Sequence, residues 1–119
     1  MFKNLFEKNN GCFCWVSVSK FNGGISERYK VDGLEKGDVL TGKISYPLDF
    51  GKSVEISLAW DENRFKLCES ICKMYKKIYE IEKERPGTYG IWGHRIEDLV
   101  IEQIQVDPVS KTFSLYIGS

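Results

Sequence analysis

The residues best equipped for chemistry lie in one stretch. From Tyr89 to Val106 the chain reads YGIWGHRIEDLVIEQIQV, which contains the only histidine, His94, a tryptophan, Trp92, between Gly90 and Gly93, and Arg95. Acids follow at Glu97, Asp98, Glu102 and Asp107, and no basic residue intervenes before Lys111. On a helical turn, a carboxylate three or four residues after a histidine would meet its imidazole, favour the cation and orient a general base. The same spacing also caps or fixes loops. Catalysis further needs a nucleophile or a second group within reach. The sequence contains no G-x-S-x-G elbow, P-loop, H-E-x-x-H or dinucleotide fingerprint. No catalytic residue and no cofactor are therefore expected, and this stretch reads as a recognition surface. Trp92 between its two glycines belongs to a loop, where binding residues concentrate and where tryptophan is an enriched hot-spot type, although packing under its own loop would suit it equally.

Four cysteines form two pairs, Cys12 with Cys14 and Cys68 with Cys72. The first pair shares one face of a strand and the second is one helical turn apart, so both point toward a core. Brought together they would make a four-cysteine zinc site. However, C-x-C inside an apolar strand is a poor zinc knuckle, and buried thiols without metal are expected. Trp15 and Trp60 fall in strand patterns and read as core anchors. Aromatic side chains interleaved with lysines could instead stack the bases of a single-stranded nucleic acid. With 17 basic against 17 acidic residues, the chain lacks the positive surplus that such binding uses.

Specific elements must hold these residues in place. Gly11 to Lys20 is apolar and partly alternating, and reads as a strand. A turn at Asn22, Gly23 and Gly24 leads to an extended run from Ile25 to Val31. Val39 to Tyr46 is a third strand, stopped by Pro47, and Lys52 to Trp60 a fourth, with Val54, Ile56, Leu58 and Trp60 on one side. The period then changes. Phe65, Cys68, Ile71, Cys72, Tyr75, Ile78 and Tyr79 mark the apolar stripe of a long helix, capped by Asp61 or Asn63 and ended by Pro86 and Gly87. Leu99 to Val106 and Lys111 to Ile117 read as a closing hairpin. There Glu102 is expected to share a face with Val100, Ile104 and Val106, which calls for an incompletely covered face or a cationic partner. The expected fold is one α+β domain over residues 1–119: a mainly antiparallel sheet of about six strands, an N-terminal meander and a C-terminal hairpin, packed on one long helix.

The first eight residues, MFKNLFEK, are too polar for a signal peptide, and no apolar run approaches the roughly 20 residues of a membrane span. A soluble, cytoplasmic protein with no membrane or small-molecule partner is expected.

The segment G-I-W-G-H-x-I-x-D-L-V-I-E, starting at Gly90, and the terminal Tyr116-Ile117-Gly118-Ser119 resemble a group of small bacterial proteins. These are similar to immunity proteins of toxin systems, including contact-dependent growth inhibition. The resemblance is confined to the C-terminal part of the chain. It implies a non-enzymatic inhibitor that binds the C-terminal domain of a cognate toxin, a nuclease in many such systems, and blocks it through a complementary, partly acidic surface. Trp92, His94, Arg95, Glu97, Asp98, Glu102 and Asp107 are the residues expected to meet that partner. Two other classes remain open: a small enzyme using His94 with Glu97 and Asp98, and a nucleic-acid-binding or regulatory module.

Overall fold

The computed structural model describes residues 2–6, 16–23, 28–91 and 93–119. It is an α+β fold, with a six-stranded, mostly antiparallel sheet packed against one long helix. The strands are β1 (Lys3–Asn4), β2 (Val16–Ser17), β3 (Val39–Ile44), β4 (Val54–Ala59), β5 (Val100–Asp107) and β6 (Thr112–Gly118). The helix α1 spans Arg64–Glu84, and a single 3-10 turn, Ile96–Asp98, precedes β5.

The α1 boundaries follow the local signals. Asn63 is the cap, its side chain accepting from the Phe65 N–H at 2.9 Å, while Asp61 and Glu62 lie outside the helix. At the other end Arg85 is the last cap residue, and Gly87, at φ 92°, takes the left-handed turn past Pro86. The stripe of Leu67, Cys68, Ile71, Cys72, Tyr75 and Ile78 is buried against the sheet with Leu40, Ile44, Ile56, Ile101, Ile104, Val106 and Phe113. Each large side chain removed from water in this way contributes about 1.5–3 kcal/mol. Among the described residues no helix is long and apolar enough to cross a membrane.

The sheet order is β1-β5-β6-β3-β4, with β2 also pairing β5. The expected N-terminal meander is thus limited to the hairpin of β3 and β4. β2 pairs with β5 across most of the chain, and residues 28–31 lie outside any strand. Residues 11–15 and 24–27, which carried the rest of that expectation along with Trp15, Cys12 and Cys14, lie outside the described residues. The β3–β6 junction is parallel, through Thr41 and Thr112. It is close because Gly42 has no side chain: a Cβ there would lie 2.6 Å from the Phe113 ring.

Glu102 departs from the simple alternation. A bulge between Ile101 and Gln103 inserts one extra residue opposite Ile117 and Tyr116. Glu102 and Gln103 therefore both take the outer face, and Ile101, Ile104 and Val106 are all buried. The expected shared face of Glu102 with Ile104 and Val106 does not form. The carboxylate is exposed and lies where a side chain on Gly118 would otherwise be.

Candidate functional site

Three segments meet on the hydroxyl of Tyr46, just beyond β3. It lies 3.0 Å from His94 Nε2 and 2.6 Å from Ser119 Oγ, and the Tyr46 and His94 rings are 5.6 Å apart at 44°. Two further tyrosines hold this arrangement from α1. Tyr75 donates to the Tyr46 carbonyl at 2.6 Å, and Tyr79 donates to the His94 carbonyl at 2.9 Å. Their positions on the helix follow from the i, i+4 spacing, which sets both phenols on one side. Burial raises the pKa of both. Tyr79 is pushed up to about 12, with further contributions from Tyr46 and from the negative charge of Asp98 and Glu97. In Tyr75 burial again leads. Both phenols thus remain proton donors at neutral pH.

The glycine loop that carries His94 is tied down at its start. Glu82, in the last turn of α1, accepts from the backbone N–H groups of Gly87 (2.7 Å), Tyr89 (2.7 Å) and Gly90 (3.3 Å). The donors to the charged carboxylate, Gly87 first and then Tyr89, hold the Glu82 pKa below its ordinary value. Gly90, at φ 68°, has the Asp49 carboxylate packed where a Cβ would stand, and the Asp49 N–H donates to the Tyr89 carbonyl at 3.0 Å. Glycine is needed at position 90 both for its left-handed backbone and for this close approach.

Of the residues expected to form a binding surface, Trp92 lies outside the described residues. His94 is half-buried, and Arg95, Glu97, Asp98 and Glu102 are exposed. The carboxylate expected against His94 is not what meets its ring: the helical turn starts two residues later, at Ile96, and the imidazole meets Tyr46. Asp98 instead accepts from the Arg95 N–H at 3.1 Å and caps its own 3-10 turn. Asp107 is separated from Glu97 and Asp98 by the length of β5, about 23 Å at a strand's rise per residue, and from Glu102 by about 17 Å. There it accepts from the Val109 N–H at 3.0 Å, a bond that leads in lowering its pKa and shapes the β5–β6 turn. Glu97, Asp98 and Glu102 can therefore belong to one surface, and Asp107 serves the opposite end of the sheet.

Tyr46 did not stand out in the sequence, where it only ends a strand, and Ser119 stood out only as the last residue of the terminal Tyr116–Ser119 motif, with no role of its own. Their signal is tertiary: sequence separations of 48 and 73 residues close onto one hydroxyl. Chemically, Tyr46 has one proton to give and lone pairs to accept with, so it can donate to His94 while accepting from Ser119, or the reverse. Cys68 and Cys72 are buried core thiols, and burial pushes Cys72 up to about 11. No family model, curated protein sequence or solved structure matches this chain.

Proposed function

We propose that this protein is an immunity protein, which binds the C-terminal domain of a cognate bacterial toxin in the cytoplasm and blocks it without turnover of its own. One spatial observation carries the reading. The described residues of the two segments behind the resemblance, 90–91 with 93–102 and 116–119, come together through the β5–β6 hairpin. Val100 pairs with Gly118 and Ile101 with Ile117, and the Tyr46 hydroxyl joins His94 to Ser119. Beside that junction Glu97 and Asp98 are exposed, with Glu102 further along β5. A partly acidic face suits the basic cleft of a nuclease, because complementary charge speeds encounter and selects the partner.

The test uses the C-terminal domain of whatever protein the adjacent upstream gene encodes, which is where the toxin of an immunity gene is expected. Stoichiometric protein should abolish the domain's activity and form a stable complex with it. Glu97→Lys combined with Asp98→Lys should slow association and flatten its dependence on salt. Lack of a complex would overturn the reading. An unchanged association rate at every salt concentration would remove the acids from the interface.

A further inference from the structure

We infer that Phe50 is the apolar anchor of the protein interface, seated in a nonpolar pocket of the toxin domain; the inference rests on the immunity reading. Phe50 occupies the loop between β3 and β4 with a relative exposure of 105%, whereas Leu48, two residues earlier, is buried at 7%. A phenylalanine in open water forgoes the favourable burial that core aromatics gain. The loop around it is nonetheless held firmly. Leu48 N–H donates to the Ser45 carbonyl at 2.8 Å, Asp49 N–H to the Tyr89 carbonyl at 3.0 Å, and Lys52 N–H to the Asp49 carbonyl at 2.9 Å. The Lys52 ammonium donates to the carbonyls of Gly87 at 2.8 Å and Thr88 at 3.2 Å. The Phe50 loop is thus fastened to the glycine loop, and through Glu82 to α1.

The backbone that carries the ring is held in advance, so a partner spends little free energy in ordering the loop. Tyr46, 41% exposed, lines the same depression of about 450 Å³ as Phe50, and its hydroxyl continues the surface to His94 and Ser119. An aromatic anchor beside hydrogen-bonding groups is the composition of a protein interface with a hot spot and polar rim. A lipid surface would call for several apolar side chains flanked by free cations. Here a single phenylalanine adjoins Asp49, the ammonium of Lys52 is occupied by backbone carbonyls, and exposed Lys43 is the one other cation that lines the depression.

The experiment compares wild type, Phe50→Ala and Val109→Ala, all binding the same toxin domain. Val109 is the control, 83% exposed on the far β5–β6 turn. Because the Phe50 ring is wholly exposed, the Phe50→Ala protein should unfold at the wild-type denaturant concentration. It should also bind at least about 30-fold more weakly, mainly through faster dissociation. Val109→Ala should bind as wild type does. Wild-type affinity in Phe50→Ala, or an equal loss in Val109→Ala, would overturn the anchor alone and leave the immunity reading standing. Sedimentation with phosphatidylcholine–phosphatidylglycerol vesicles that is lost on Phe50→Ala while toxin binding persists would overturn it in favour of a membrane. A wild-type protein that forms no complex with the toxin domain would overturn both.

Discussion

Replacing Gly42 by alanine tests whether the parallel β3–β6 junction is as close as the structure has it. The added methyl would stand 2.6 Å from Cε2 and Cζ of Phe113 and 2.8 Å from Cδ2, well inside the roughly 3.5–4.0 Å of an ordinary carbon–carbon contact. Phe113 is only 4% exposed and sits in the core, so the ring has no easy retreat of about an ångström. Overpacking of this kind costs about 1–3 kcal/mol. Gly42 has no positive φ, so alanine fits the backbone and recovers about 0.4–1 kcal/mol by restricting the unfolded chain. The net expectation is a loss of about 1–2 kcal/mol, or a Tm lower by roughly 4–8 °C for a chain this size. Urea titration and thermal melting followed by circular dichroism would read it. In a Phe113→Leu background, which lacks the ring atoms that clash, the penalty of Gly42→Ala should shrink by about 1 kcal/mol. A Gly42→Ala protein as stable as wild type, or a penalty unaltered by Phe113→Leu, would refute the close approach.

Three other perturbations probe the charged and titrating groups. Asp38, Glu82 and Asp107 all have lowered pKa values, each led by a backbone N–H donor, so their contribution is present above the unfolded carboxylate range and is lost as pH falls through the folded values. Urea midpoints should therefore fall below about pH 4.5, and Glu82→Gln should make that fall shallower; an equal slope in both proteins would show that Glu82 does not contribute. Cys72, raised to about 11 by burial, should leave stability flat up to its unfolded value near 9 and lower it as pH rises from there toward 11. Cys72→Ala should reduce that alkaline slope by one proton, measured against the same tyrosine background. Arg64 is 5% exposed, donates to the Leu5 carbonyl at 2.8 Å and lies over the rings of Phe6, Tyr29 and Phe65. Arg64→Met should cost about 1.5–3 kcal/mol through the lost charged donor, seen as a lower urea midpoint; an unchanged midpoint would mean that methionine packing replaces it fully.

The elements with strong local codes were legible in advance. The α1 stripe, its start at one of two cap candidates, Asp61 or Asn63, and its end at Pro86 and Gly87 depend on residues within a few turns of each other, and β4 and the β5–β6 hairpin alternate cleanly over most of their length. Glu102 was misplaced because a bulge adds a residue without changing the sequence pattern that marks a strand. Asp107 was grouped with Glu97 and Asp98 because the three follow one another along the chain, yet β5 carries it to the far end of the sheet. The grouping of β2 into a local meander failed because periodicity defines a strand's faces and says nothing about which edge it joins.

Taken alone, the amino-acid order determined the class of fold, the helix and its ends, and which residues could supply recognition chemistry. Those properties arise from backbone preferences and burial along short stretches. Tertiary structure alone decided that Tyr46, His94 and Ser119 share one hydroxyl, that Gly42 yields space to Phe113, and that Phe50 stands exposed on a fastened loop. Each of these depends on the order in which strand edges pair. That order is set by the burial of the sheet's apolar face as a whole and leaves no mark in any local stretch of residues.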